Sequence, residues 1–185
     1  MIEEVLHPSN MMRACRQVVR NKVSAGVDGM EVETLPDYFR STCKEIESAL
    51  RESIYLPQPI LGVEIPKGGG KTRLLGVPTV LDRMLQQAVG QILCNHYEME
   101  FEDYSYGFRP NRNARQAVMR SLDYINSGNC WIADIDLKTF FDEVVHCLLL
   151  QLLYGKVKCC QTIRLIRKWL RSPILIGENR TAAHA

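Results

Sequence analysis

A run of aliphatic and β-branched residues from Ile60 to Val77 is cut in its middle by Gly68-Gly69-Gly70. Three consecutive glycines end regular structure, and each flanking run is strand-length and too short for a helix. The segment therefore reads as two strands joined by a flexible tip that carries Lys67, Lys71 and Arg73, a basic hairpin. Helical periodicity lies on both sides of it, which makes the chain α+β.

Upstream, from about Pro36, the apolar residues Phe39, Cys43, Ile46 and Leu50 recur at intervals of four, three and four, so they share one helical face; this helix ends before Pro57. Downstream, Thr79 precedes Asp82 by three residues and can cap a long helix. Its Leu81, Met84, Leu85, Ala88, Val89, Ile92 and Leu93 form a wide apolar stripe, which predicts the most buried helix of the chain. Residues 104–113 read as a loop. A further amphipathic helix follows on Ala114, Ala117, Val118, Leu122 and Ile125 and stops before Gly128. The pattern then predicts a strand over Cys130 to Asp136, a helix from about Phe140 to Tyr154 closed by Gly155, and a last helix near Thr162 to Leu170.

With 185 residues, 46% hydrophobic and 24% charged, the chain is large enough for one compact core with a second partial lobe and too apolar to be disordered. The net charge of +2 does not by itself demand a nucleic-acid partner, so local clustering has to carry that argument. None of the seven cysteines forms a C-x-x-C pair and no secretory leader precedes them, which predicts neither a zinc site nor a disulfide scaffold but a reduced, cytoplasmic setting. The densest apolar stretch, Val144 to Leu153, is broken by His146 and Gln151 and falls short of the ~18 residues of a membrane span, so a soluble protein is expected.

Four segments carry chemistry. In Trp131 to Asp142 an apolar run ends in carboxylates where the chain turns. On a strand, Asp134 and Asp136 would face one side, about 7 Å apart. Carboxylates so placed suit Mg²⁺, which binds through one or two of them together with substrate phosphates. Asp136 is the better metal candidate; taken alone, the same acids also read as solvated strand ends and helix caps. The basic hairpin offers mobile cations on a glycine tip able to close over a triphosphate, or simply a solvated turn. Gly70-Lys71-Thr72 ends like a Walker A loop, but the first glycine of that motif would fall at Ile65 and a strand, not a helix, follows, so a P-loop is rejected. Tyr104-Ser105-Tyr106-Gly107-Phe108-Arg109-Pro110-Asn111-Arg112-Asn113 alternates aromatic and cationic groups, a composition for stacking on bases and pairing with phosphates.

Together these segments resemble reverse transcriptases of the group II intron-encoded (maturase) type over residues 10 to about 175. An Asp ending a palm strand with an aromatic residue five positions later matches Asp136 and Phe141. The hairpin from Ile65 to Pro78, Asp82-Arg83 with Gln86-Gln87, the Y-G-F-R-P stretch, and Ser24-Ala25-Gly26-Val27-Asp28-Gly29 all resemble elements of that family. The resemblance implies a right-hand polymerase fold: an N-terminal extension over 1–35, helical fingers with a β-hairpin over 36–128, and the first strand and helices of an incomplete palm over 129–185. It implies Asp136 as catalytic and metal-binding, with two Mg²⁺ ions in the complete site. Lys67, Lys71, Arg73, Phe108 and Phe141 become nucleotide-binding, Phe141 as the gate against a ribose 2′-hydroxyl and Phe108 as a pocket wall or as core. Arg109, Arg112, Gly26 and Asp28 become nucleic-acid-binding. The implied activity is RNA-directed DNA polymerase with assistance to splicing, and the implied partners are intron RNA template, DNA primer or target and deoxynucleoside triphosphates.

The family's Tyr-x-Asp-Asp turn does not occur, and after Asp142 the only acids are Glu143 and Glu178. The expectation is therefore that this chain alone does not polymerise DNA. The alternative is a non-catalytic RNA-binding module using the hairpin, the aromatic loop and Arg164, Arg167, Lys168 and Arg171. A palm sheet lacking later strands would also expose open edges, which predicts self-association.

Overall fold

The computed structural model describes residues 1–67, 69–176 and 179–181. It begins with α1 (Ile2–Val5) and α2 (Pro8–Asn21), the latter opening on Pro at its first position with the His7 ring accepting from the Ser9 amide. After a single 3-10 turn at Val32–Thr34 comes α3 (Leu35–Arg51). Its inward residues Leu35, Ile46 and Leu50 lie on the expected face. Strands β1 (Ile60–Lys67) and β2 (Lys71–Val77) form the expected antiparallel hairpin, with Gly69 and Gly70 at φ +80° and +75° in its turn. Gly68 of the predicted tip lies outside the described residues.

Helix α4 (Val80–Tyr97) supplies the largest share of the core, with Val80, Met84, Leu85, Ala88 and Val89 all buried. Met11, Ala14 and Val18 of α2 are buried too, and α2 meets α4 through Asn10. The buried Asn10 amide completes that contact by donating to the carbonyls of Val5 and Ala88 at 2.8 and 3.0 Å. Such satisfied polar groups fix the register of packed helices that apolar contacts alone leave free to slide.

Next come α5 (Ala114–Asn126), α6 (His146–Val157) and α7 (Cys160–Leu170), then β3 (Ile174–Ile176) and β4 (Asn179–Thr181). The sheet order is β2-β1-β3-β4, with β3 parallel to β1 and antiparallel to β4. Gly62 makes the β1–β3 pairing possible, since a Cβ there would lie 2.9 Å from both the Ile174 and Ile176 side chains.

Three local expectations are corrected. Residues 130–137 are irregular and belong to no strand, because among the described residues no backbone offers them a hydrogen-bond ladder; Trp131 is 97% exposed. The helix expected from Phe140 starts only at His146, because Thr139 at φ +51° and the bonds from the Asp142 and Glu143 amides to its carbonyl make a turn. Gly155 lies inside α6 rather than ending it.

The α+β class holds. The chain divides into two compact units, one of residues 1–92 with 146–185 and one of residues 93–145. These boundaries cut across those expected at 35 and 128, because α7 and β3 return to α3 and β1 after the intervening segment. Among the described residues no helix is long and apolar enough to cross a membrane. The cysteines are free thiols.

Candidate functional site

In the larger unit the hairpin register decides what the cations can do. Lys67 pairs with Lys71 and Ile65 with Arg73, so by the alternation of strand side chains Lys67, Lys71 and Arg73 all stand on one face of the ribbon. All three are exposed. Like charges directly opposite one another destabilise an empty ribbon, and the arrangement becomes favourable when a polyanion lies on that face. Lys71, on the edge strand β2, also disfavours pairing of that edge with another chain.

The base of the hairpin is held by a carboxylate whose role the sequence did not reveal. Asp82 is 2% exposed and accepts from the Tyr55 hydroxyl (2.9 Å), the Gln58 amide (3.0 Å), the Thr79 hydroxyl (2.9 Å) and the Trp169 indole N–H (3.0 Å). Its own amide donates back to Thr79 Oγ1, so Thr79 caps α4 as expected. Beside it, Lys168 Nζ donates to the carbonyls of Ser53 and Tyr55 at 2.6 and 2.7 Å. One carboxylate and one ammonium thus tie α7 to the segment entering β1. Burial, and then the Asp82 charge, push the Tyr55 phenol well above the ordinary tyrosine range. The only sequence signal for this cluster was Thr79 three residues before Asp82; a contact to Trp169 has no local signature.

Gly26 sits against the turn into α4. A Cβ there would approach Thr79 Cα to 2.7 Å, so this buried glycine serves close backbone packing. Asp28 is exposed and accepts from the Met30 amide at 3.2 Å. Arg83, beyond Asp82, donates to the Ser24 carbonyl at 2.6 Å, and burial lowers its guanidinium pKa.

In the smaller unit, Arg109 is turned inward. It is 9% exposed and grips Glu98 at 2.8 Å together with the carbonyls of Glu102 and Ser105. A guanidinium so occupied holds its own loop together. Arg112 lies closer to the surface, with its guanidinium over the Tyr106 ring at 5.6 Å and a bond to the Asp103 carbonyl. Arg120, not anticipated, stands 5.1 and 5.0 Å from the Tyr104 and Tyr124 rings. Phe108 is fully exposed with φ +56°, a left-handed conformation unusual for a bulky side chain, so the reading of Phe108 as core is excluded.

Asp134 and Asp136 lie on this irregular run and are exposed, as is Phe141, at 85%, in an edge-to-face pair with Phe140. Without a strand, the same-side spacing of the two carboxylates is not imposed. Among the described residues no three His, Cys, Asp or Glu side chains converge as a metal cage. The donors that are present, carboxylate oxygens open to solvent, suit a hard ion that takes part of its shell from water and phosphate.

Residues 65–184 match the family model described as reverse transcriptase (RNA-dependent DNA polymerase). The chain is 33% identical over 172 residues to the group II intron-encoded protein LtrA of Lactococcus lactis subsp. cremoris, a match covering 92% of this chain and 28% of that protein. It is 28% identical over 186 residues to protein YkfC of Escherichia coli K12, covering 97% of this chain and 49% of that one. The chain thus spans half the length or less of these relatives. A chain of the partial Cas6-RT-Cas1--Cas2 complex superposes with a TM-score of 0.61 at 20% identity, over 97% of this chain and 29% of that one, which supports the fold alone.

Proposed function

Because this chain belongs to the reverse transcriptase family, and within it to the group II intron-encoded type, we propose that it forms the fingers and the first part of the palm of an RNA-directed DNA polymerase. The observation that carries this reading is the set of Lys67, Lys71 and Arg73 on one face of a glycine-tipped ribbon, a lid suited to an incoming deoxynucleoside triphosphate. Fingers over 36–128 and palm from 129 remain the functional division, although the chain packs in units that cut across it.

In this reading Asp136 holds Mg²⁺, with Asp134 next to it on the same run. Bound metal supplies Lewis acidity to the phosphoryl oxygens and lowers the pKa of the attacking primer hydroxyl. The chain's own residues do the rest. The hairpin cations neutralise the triphosphate and Arg112 pairs with template phosphate. The exposed rings of Phe108 and Phe141 give apolar contact to base and sugar, with Phe141 crowding a 2′-hydroxyl. Intron RNA as template and as splicing substrate, and a DNA primer, are the partners this implies.

The test is primer extension on an RNA template by the polypeptide that the gene encodes. Asp136→Ala should abolish extension and leave RNA binding and the thermal melt unchanged, since this exposed carboxylate supports no packing. Lys67→Ala with Arg73→Ala should raise KM for deoxynucleotides about a hundredfold or more, as loss of two charge-assisted phosphate bonds of about 1.5–3 kcal/mol each predicts. Extension undiminished by Asp136→Ala would sink the assignment. Equal loss of RNA binding and synthesis would favour a purely RNA-binding module.

A further inference from the structure

The charge of this protein is unevenly distributed. Between Glu143 and Glu178 there is no acidic residue, while Lys156, Lys158, Arg164, Arg167, Lys168 and Arg171 lie there, so this stretch carries +6 in a chain whose total is +2. Segregation of that kind marks a surface that meets a polyanion. Helices α6 and α7 turn it into a shape. Between them lies a cavity of about 300 Å³ whose lining includes His146, Cys147, Leu150, Arg164, Arg167 and Arg171.

Two ordinary explanations of these arginines fall short. Cations in the last turn of a helix complement its dipole, which accounts for Arg167 and Arg171 but not for Arg164 in the middle of α7. Arginines on a solvated face are usually laced with carboxylates, yet among the described residues none of the three makes an ion pair. Lys168, a neighbour of Arg164 on the surface of the same helix, is already used by the Ser53 and Tyr55 carbonyls, so the cations of α7 do not all have the same job. Positions 164, 167 and 171 rise along one helical face over about 10 Å. That is a ladder of guanidinia rather than a single charge.

We propose that the α6–α7 cleft binds the phosphodiester backbone of a nucleic acid strand, through Arg164, Arg167 and Arg171 with His146 at the rim. Its residues are used neither by the hairpin nor by the Asp136 segment, so the inference stands independently of the polymerase reading. A concave, arginine-lined cleft admits a narrow charged strand, whereas a lipid surface calls for a convex apolar face flanked by cations. Backbone recognition by this surface carries no sequence preference.

The experiment measures binding of a fluorescein-labelled single-stranded RNA, and of DNA of the same sequence, to the full chain as a function of salt. Each phosphate neutralised on a single strand adds about 0.7 to the slope of log K against log salt, so the triple variant Arg164→Gln, Arg167→Gln, Arg171→Gln should lower that slope by about 2. RNA and DNA should be affected alike. A slope unchanged in the triple variant, or a variant that loses binding only to anionic vesicles, overturns the proposal. A second readout needs no variant: bound oligonucleotide should slow alkylation of the exposed Cys147 in the cleft but not of the exposed Cys160, which does not line it. Equal rates at Cys147 with and without oligonucleotide would also overturn it. Neither readout depends on DNA synthesis, so failure here leaves the Asp136 test untouched, and the reverse.

Discussion

Replacing Asp82 by Ala should be among the most damaging single changes this chain can suffer. The substitution removes one acceptor and leaves four donors, on Tyr55, Gln58, Thr79 and Trp169, facing a site that is closed to water. A hydrogen bond to a charged acceptor contributes about 1.5–3 kcal/mol, and a buried donor left unpaired costs about 1–3 kcal/mol. Part of that loss is offset because a carboxylate no longer has to be desolvated, and breaking a buried charged network costs about 3–5 kcal/mol in practice. Against a typical total of about 5–15 kcal/mol, this takes a large share of the stability. The reporter is built in. Trp169 bonds to Asp82 while the only other tryptophan, Trp131, is 97% exposed, so Trp131→Phe yields a chain whose emission follows Trp169. In urea, with an m-value of about 2 kcal/mol per M, the midpoint should fall by about 1.5–2.5 M with m unchanged. Circular dichroism should follow the same curve for Asp82→Ala in the native background. The partner Trp169→Phe, which keeps the ring's packing and loses one N–H, should cost about 1–2 kcal/mol, and the double variant should lose less than the sum. A midpoint within about 0.3 M of the parent for Asp82→Ala, or strict additivity in the cycle, would refute the idea that one carboxylate joins α7 to the base of the hairpin.

Three other changes probe single features. Gly26→Ala places a methyl 2.7 Å from Thr79 Cα and should cost about 1–3 kcal/mol, while Gly90→Ala, mid-helix with open space around it, should gain about 0.5–1 kcal/mol; opposite shifts in melting temperature check the pair. Phe108→Asn should raise stability by about 0.5–1 kcal/mol by relieving a left-handed backbone, and should weaken nucleotide use if the ring serves the pocket; a variant no more stable than the parent by thermal melting would count against strain at this position. Because Tyr55 has its phenol pKa raised in the fold, its stabilising contribution is complete below the ordinary tyrosine value near 10 and is lost as pH rises beyond it toward the folded value. Alkaline urea titrations should therefore be flatter in Tyr55→Phe, and an absorbance titration in which that variant lacks a phenol ionising near pH 10 would refute the burial argument.

Period and punctuation made much of the local structure legible. The four-three-four spacing from Phe39 to Leu50 located α3, the triple glycine located the hairpin, and Thr79 with the stripe beyond it located α4 and its burial. These are short-range effects, set by backbone sterics and by which face of one element is apolar. The segment 130–136 shows the opposite case. Its residues have strand character, but a strand exists only where another backbone supplies the ladder, and composition does not say whether one will.

Residue types bearing charge were legible too, and their roles were not. Arg109 and Arg112 read alike in the loop, yet Arg109 is drawn inside by Glu98 and two carbonyls while Arg112 stays nearer solvent. Gly26 reads only as part of a glycine-containing stretch that resembles a nucleic-acid-binding one, and in the fold the Thr79 backbone lies against it. The sequence by itself determined the element types, the apolar faces and the inventory of cations and carboxylates. Tertiary structure alone decided which of those groups are consumed in holding the fold. Asp82, Lys168, Trp169 and β3 meet partners at separations of 24 to 115 residues, and no local pattern encodes an interaction of that reach.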